Sequence, residues 1–309
     1  MGFKKRRELL FVYSVEDANP NGDPRRNNMP RQDLNTGILR VEDVRIKRTI
    51  RDQFIRDGHH VFINGEPITL DQRVRSLRGE LSLQLGKNVE ATEDILGACI
   101  DTRLFGVVYA SGSKNHMSWT GPVQWMRGYS LHRVYIENIE GTAAFASREG
   151  NEQRSFRSEY IVPFALIASY AIANQYVAET TGATSEDLDA HFDAVWTGHE
   201  NLISRSKIGH MPRLLLEVTY KEGYNSLIGM MHRKVFIHKR DDSGFTAEEE
   251  ICLRSLSDVV LNITPLAEKI VAKKDVIDRI RVRKDEDLMI KGLEQIQENI
   301  GERFELEVR

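Results

Sequence analysis

The sequence predicts an α+β fold with an antiparallel sheet, and two observations support that class. Strand-like and helix-like segments alternate along the 309 residues. The first strand candidate, Glu8–Val15, is rich in aromatic and β-branched residues, and no Gly-rich phosphate loop follows it. The missing loop argues against a doubly wound nucleotide-binding fold. With 40% hydrophobic residues, the chain can bury a sizeable core.

A long loop is expected after this first strand. The turn-forming run Asp17–Pro24 opens it, and it continues to about Gly37. Loops of this length in compact domains are usually functional or mobile. The segment is therefore the first candidate for a functional surface.

The segment Val41–Arg56 predicts an amphipathic helix. Ile46, Ile50 and Phe54 fall on one face at helical spacing, and basic residues occupy the outer face. Nine Lys/Arg and four acids lie between Arg25 and this helix end, a local charge of +5 in a chain whose net charge is −3. This basic zone suits a protein that grips nucleic acid along one track. The plainer interpretation is an ordinary solvated helix face.

The later elements follow from local patterns. A central polar stretch carries Gly150 and Asn151 between apolar flanks, which indicates a hairpin with a basic tip. A stretch at 116–127 mixes aromatic and basic residues and fits either base stacking or a core or subunit contact. The other expected elements are mostly helical residues 68–100 with an N-cap at Thr92, strands at 121–126 and 131–139, a buried segment at 160–173, a capped helix at 185–202, a strand at 214–220, and mixed short elements at 246–300.

Composition excludes some classes of protein. No apolar run is long enough to span a bilayer, and the N-terminal apolar stretch is too short for a secretory signal. The two cysteines, Cys99 and Cys252, have no second cysteine or histidine at metal-ligand spacing. We expect reduced thiols in a cytoplasmic protein, with no metal and no cofactor.

An ordered series of motifs resembles the Cas-seven family, the repeated backbone subunits of type I CRISPR Cascade complexes. It is most similar to the Csh/Csd-type branch, which suggests type I-B or a close relative. The resemblance covers about residues 8–235. The motifs are NPNGDP at 19–24, MPR at 29–31, VRIKRTIR at 44–51, DTRLFG at 101–106, TGPVQ at 120–124, SLH at 130–132 and YIVPF at 160–164.

The resemblance implies a single RRM-like (ferredoxin-like) antiparallel palm across residues 1–309. It carries a helical insertion at about 66–100, a thumb-like β-hairpin at about 143–160, a web of loops and a C-terminal extension at about 240–309. It also implies an RNA-binding role in antiviral defence without catalytic residues, in a prokaryotic cytoplasm. The implied partners are guide RNA (crRNA), target DNA through guide pairing, other Cascade subunits, and further copies of the chain stacked as a helical filament, with no membrane.

A subunit that holds any guide sequence must contact phosphates and sugars rather than base edges. Phe156 could displace a base between stacked runs, or simply pack across the hairpin. The candidate RNA-binding residues are Arg25, Arg26, Arg31, Arg45, Lys47, Arg48, Arg51, Arg154, Phe156, Arg157, Arg205, Lys207 and Arg213.

Two other classes of function remain open at this point. Asp23 and Asp33 in the long loop could bind a divalent cation in a metal-dependent endoribonuclease, although the same residues have a plain turn-forming explanation. A purely structural, self-assembling protein is the third possibility. Salt dependence distinguishes the two, because RNA binding through several phosphates weakens steeply as salt rises and apolar self-association does not.

Overall fold

The computed structural model describes residues 2–86, 88–111, 115–142 and 156–309. Its helices are α1 Asp43–Arg56, α2 Leu70–Leu85, α3 Thr92–Ala98, α4 Ile100–Phe105, α5 Gln175–Thr181, α6 Ser185–Glu200, α7 Ala247–Ile251, α8 Thr264–Val271 and α9 Leu293–Ile300. Its strands are β1 Arg7–Ala18, β2 Gly22–Asp23, β3 Met29–Pro30, β4 Ile38–Val41, β5 Gly106–Ser111, β6 Asn115–Thr120, β7 Val123–Trp125, β8 Gly128–Arg133, β9 Glu137–Thr142, β10 Phe156–Ala173, β11 His210–Tyr220, β12 Phe236–His238, β13 Val260–Asn262, β14 Ile277–Lys284, β15 Ile290–Lys291 and β16 Phe304–Val308.

The principal sheet is built around β1. Its strand order is β16-β14-β11-β1-β10-β8-β4, and β7 and β9 also pair with β10. These pairings are antiparallel except for β14 with β16. The strand β1 is buried from Arg7 to Val15, since its apolar side chains alternate between two covered faces.

Both faces of this sheet are covered. Phe11 and Tyr13 of β1 join one core with Ile50 and Phe54 of α1 and with residues of α6. Leu10 and Val12 point to the opposite face and join a second core, which is built from the C-terminal elements. The result is a layer of helices, the sheet, and a C-terminal layer that contains a smaller sheet of order β12-β13-β15.

The sequence predicted most of these elements correctly. The first strand, α1 and the capped α6 are confirmed, and the helical stretch expected at 68–100 appears as α2 and α3. The single strand expected at 131–139 is wrong, because β8 ends at Arg133 and β9 begins at Glu137. The expected cap is shifted by one residue, from Thr92 to Ala91. No helix among the described residues is long and apolar enough to cross a membrane.

Two of the sequence motifs form the joint between the helical insertion and the sheet. Gly106 has φ +81°, and a Cβ there would lie 2.3 Å from the carbonyl oxygen of Trp119. A Cβ at Gly121 would lie 2.1 Å from the carbonyl carbon of Phe105. Only glycine fits at these two facing positions, so DTRLFG and TGPVQ are explained by backbone packing.

Candidate nucleic-acid interface

The long loop is tied down at Asn19. Its amide N–H donates to the carbonyl of Ser206 at 3.0 Å. Its side-chain Nδ2 donates to the carbonyl of Asn28 at 2.6 Å and to that of Tyr160 at 3.3 Å. Lys207 Nζ donates to the Asn19 carbonyl. One residue therefore connects the loop, the strand β10 and the segment between α6 and β11.

The tip of the loop is a short 3-10 helix, Pro24–Arg26. Asp23 caps it by accepting the amide N–H of Arg25 at 3.0 Å, and Pro24 supplies the preset φ of the first turn. Asn27 and Asn28 then reverse the chain in the left-handed region, with φ of 51° and 58°. This geometry leaves Arg25 and Arg26 exposed, and neither has an ion-pair partner within the described ranges.

A basic cavity lies on one side of this loop. It has a volume of about 270 Å³, and four arginines and two carboxylates contribute to its lining, a net charge of +2. Arg31 lies 3.5 Å from both Asp23 and Glu42, so both carboxylates of the cavity form ion pairs with this one arginine. The four arginines are Arg26, Arg31, Arg40 and Arg127.

Two of these arginines have no carboxylate partner in the part of the chain that the structure describes. Arg26 and Arg127 are exposed at the cavity, whereas Arg40 pairs with Asp33. Neither Arg40 nor Arg127 is among the RNA-binding residues predicted from the sequence. Both reach the cavity through pairing of β4 with β8, a contact between distant segments that has no local signal.

A larger cavity of about 870 Å³ lies on the other side of the loop. Asn19, Asn27 and Asn28 line it together with Tyr160 and Lys207. Its charges are balanced differently, with carboxylates of Asp17, Glu137 and Glu159 against Arg205 and Lys207. Arg205 is held by Glu159 at 2.6 Å.

Three of the predicted helix residues are occupied by ion pairs. Lys47 lies 2.9 Å from Asp43, and Arg48 lies 2.8 Å from Asp52. Arg51 is buried, and its Nε lies 2.8 Å from Asp101. Lys47 and Arg48 thus pair with carboxylates of α1 itself, whereas Arg51 pairs with a carboxylate of α4.

Of three further predicted cations, Lys207 lines the larger cavity and Arg45 and Arg213 do not. Arg213 is buried between Asp285, at 2.9 Å, and Ser14. Burial lowers the pKa of Arg45. Burial and, to a smaller extent, the nearby Arg45 lower the pKa of Lys207 to about 7. Of the predicted basic residues in the described chain, Arg25, Arg26 and Arg31 are the ones that the structure groups at the loop tip.

Comparison with known proteins identifies the family. A family model described as CRISPR-associated protein Cas7 matches residues 5–264. A curated CRISPR-associated protein Cas7 from Haloferax volcanii is 31% identical over 302 residues, which is 90% of this chain and 86% of the relative. The chain belongs to the Cas7 family.

Solved structures show that the fold is similar to that of chains in two complexes. One, titled "CRISPR RNA-guided surveillance complex, pre-nicking", matches with a TM-score of 0.56 at 11% identity, over 98% of this chain and 96% of that one. Another, titled "CRISPR RNA-guided surveillance complex", matches with a TM-score of 0.50 at 14% identity, over 90% and 88%. The family match reaches residue 264, beyond the resemblance seen in the sequence, which ends near residue 235.

The predicted thumb of this Cas7 chain is described only at its base. Strand β9 pairs with the start of β10, so that Thr142 lies opposite Phe156 and Gly141 opposite Arg157. Residues 143–155, including Arg154 and the expected hairpin tip, lie outside the described residues. The antiparallel pairing is what a hairpin at this position requires.

The two loop aspartates of this Cas7 chain have structural partners. Asp23 caps the 3-10 helix and lies 3.5 Å from Arg31. Asp33 accepts the amide N–H of Asn35 at 3.0 Å and pairs with Arg40. Within the described ranges, no group of three or more His, Cys, Asp or Glu side chains is arranged to hold a metal ion.

Proposed function

We propose that this Cas7 chain is a repeated backbone subunit of a type I CRISPR RNA-guided surveillance complex and binds guide RNA without reading its sequence. The observation that carries the proposal is the loop tip, where Arg25, Arg26 and Arg127 lie exposed without carboxylate partners beside a cavity of net charge +2. Unpaired guanidinium groups suit phosphate oxygens, which they bind with two parallel hydrogen bonds.

The fold is proposed to be an RRM-like palm with insertions. The series β1, α1, β8, β10, α6, β11 runs strand, helix, strand, strand, helix, strand, and the sheet order β11-β1-β10-β8 supports the assignment. The C-terminal layer covers the sheet face opposite α1 and α6, where an RRM stacks bases on its sheet. RNA therefore passes over the loop and its two flanking cavities rather than across the sheet.

Sequence-independent binding follows from the groups that the loop presents. Arginines at a loop tip contact the phosphates, which are the same at every nucleotide, and leave base edges free to pair with target DNA. The hairpin that starts at β9 and β10 would enter between base runs, with Arg154, Phe156 and Arg157 as its proposed contacts. Further copies and other subunits would extend the same track along the guide.

Neutralising the two unpaired arginines of the basic cavity tests the phosphate role. We expect Arg26→Gln with Arg127→Gln to weaken RNA binding by about tenfold or more for each lost charged contact. The slope of log affinity against log salt should fall by about 0.7 for each phosphate released by single-stranded RNA. Fluorescence anisotropy with RNAs of two unrelated sequences, over a series of salt concentrations, measures both quantities.

A matched control removes the same charge elsewhere. Lys221 and Lys274 are exposed at the C-terminal layer, so Lys221→Gln with Lys274→Gln should leave affinity and salt slope close to those of the unmodified chain. Equal losses in the two double variants would indicate a general charge effect and contradict the loop assignment. Absence of RNA binding, together with self-association that does not weaken as salt rises, would favour the purely structural class.

The nuclease alternative predicts a different result. Since Asp23 and Asp33 are occupied by loop contacts, we expect no RNA cleavage when Mg²⁺ or Mn²⁺ is added to the purified chain with labelled RNA. Metal-dependent cleavage that disappears in Asp23→Ala or Asp33→Ala would overturn the proposed non-catalytic role.

A further inference from the structure

One residue that lines the larger cavity carries a buried hydrogen-bond acceptor without a partner among the described residues. Asn19 lines this cavity and is only 8% exposed, and its Oδ1 has no hydrogen-bond partner among the described residues. The amide orientation is fixed, because Nδ2 faces the carbonyls of Asn28 and Tyr160 and only a donor suits two carbonyls. The unpartnered atom is therefore the oxygen.

An acceptor of this kind requires a donor from elsewhere. Leaving a buried polar atom unpaired costs about 1–3 kcal/mol, so such atoms in native proteins generally have a water, ion or ligand partner. Two more buried atoms without a partner lie close to Asn19. One is Nδ2 of Asn21, two residues along the chain. The other is Nε2 of His210, whose ring also hydrogen-bonds to the backbone of Asn19. The start of the loop is thus built with hydrogen-bonding capacity that the described chain does not use.

The charge of the larger cavity disfavours a phosphate there. Three carboxylates and two cations line it, and Arg205 is already paired with Glu159. Lys207 remains as a donor, and its Nζ is bound to the main-chain oxygen of Asn19 itself. A neutral group that both donates and accepts a hydrogen bond fits this pair of side chains better than an anion does.

Among the groups of a nucleic acid, sequence-independent binding leaves one such candidate. Phosphate and ring oxygens only accept hydrogen bonds, and donors on the bases change with sequence. The ribose 2′-hydroxyl donates and accepts, and it is present at every RNA nucleotide and absent from DNA.

We propose that Asn19 Oδ1 accepts a hydrogen bond from a ribose 2′-hydroxyl seated in the larger cavity, with Lys207 Nζ donating to the same hydroxyl, so that this chain selects RNA over DNA. The inference rests on the proposed function. It assigns a separate role to each side of the loop, phosphate on the arginine side and ribose on the Asn19 side.

Chemically modified guides of one sequence test this assignment. The ligands are RNA, DNA, 2′-fluoro RNA and 2′-O-methyl RNA, each short enough to occupy one copy of the chain. The 2′-fluoro sugar keeps the RNA-like pucker but cannot donate a hydrogen bond. It therefore distinguishes the loss of the hydroxyl donor from a change in sugar pucker. We expect RNA to bind about 5- to 10-fold more tightly than both 2′-fluoro RNA and DNA, the effect of one lost hydrogen bond.

Variants of the chain complete the test. In Asn19→Ala, the ratio of RNA affinity to DNA affinity should fall to about one, whereas a displaced loop would lower both affinities together and leave their ratio unchanged. Asn88→Ala, at an exposed asparagine in the insertion, should keep the full preference. If Asn19→Ala does not fold, Lys207→Met retains Asn19 and should still reduce the RNA preference.

Three outcomes are distinguishable. Equal binding of RNA and 2′-fluoro RNA by the unmodified chain would overturn the ribose assignment, as would an RNA preference that persists in folded Asn19→Ala; either would assign the orphan oxygen to an internal water. Failure to bind any of the four ligands would instead contradict the proposed function. A preference that collapses in Asn19→Ala supports both.

Discussion

Replacing Arg51 with alanine is expected to lower the free energy of unfolding by about 3–5 kcal/mol, because the change leaves a buried carboxylate without its counter-charge. Asp101 is fully buried and accepts Arg51 Nε at 2.8 Å, the amide of Phe62 at 2.7 Å and the amide of Ile63 at 3.1 Å. This carboxylate fastens α1 to the helical insertion. Urea titration followed by circular dichroism measures the loss.

The same experiment separates a structural arginine from an RNA-binding one. Arg26→Ala should change the free energy of unfolding by less than about 0.5 kcal/mol, since Arg26 is exposed and has no ion pair in the described chain. Its effect should appear in RNA affinity instead. Normal stability of Arg51→Ala together with a large loss of RNA binding would return Arg51 to the interface and contradict the ion-pair assignment.

Acidification from pH 7 to pH 5 is expected to destabilise the protein by about 2 kcal/mol for each of two buried histidines, about 4 kcal/mol together. Burial lowers the pKa of His191 to about 3, with smaller contributions from Arg7, Arg281 and Lys47. Burial, with a smaller contribution from Arg45, also lowers the pKa of His199 to about 3. Between pH 6.5 and pH 3 the unfolded chain binds these protons and the native chain does not, so stability falls as pH falls through that window.

Local contacts agree with neutral rings at both positions. His191 Nε2 accepts the indole N–H of Trp125 at 3.1 Å, and His199 Nδ1 lies 2.8 Å from the carbonyl of Val195. Urea titrations at pH 7, 6 and 5 give the pH dependence, and His199→Gln should remove about 2 kcal/mol of the loss between pH 7 and pH 5. An unchanged slope in that variant would show that the loss comes from other groups. The measured range, pH 7 to pH 5, lies above the ordinary range of carboxylate titration, which keeps the two effects apart.

Much of the architecture was predictable because it depends on neighbouring residues. The spacing of Ile46, Ile50 and Phe54 predicted α1, since the helical period alone places them on one face. The composition of residues 17–24 predicted the loop, because Asn, Gly, Asp and Pro each favour turns. The single strand expected at 131–139 is wrong because the break after Arg133 depends on tertiary pairing. The first half pairs with β10 near Ile167 and the second half with β10 at residues 156–161.

Site residues were harder to predict because charge can be counted from sequence and pairing cannot. Arg48 and Arg26 both belong to the basic zone, so the sequence does not distinguish them. In the structure, Asp52 lies 2.8 Å from Arg48, whereas no carboxylate among the described residues pairs with Arg26. Arg51 was a favoured candidate, and its partner lies 50 residues away in the chain. Arg127 is not among the candidates predicted from the sequence, because only the pairing of β4 with β8 brings it close to the loop.

The sequence by itself determined the family, the elements near the N-terminus and the presence of a basic zone, since each depends on residue types at short separation. The tertiary structure decided which of those cations are neutralised and which are free, and it covered the sheet face with the C-terminal layer. Those outcomes depend on contacts between segments far apart in the chain, where distance and burial set the energy of each charge.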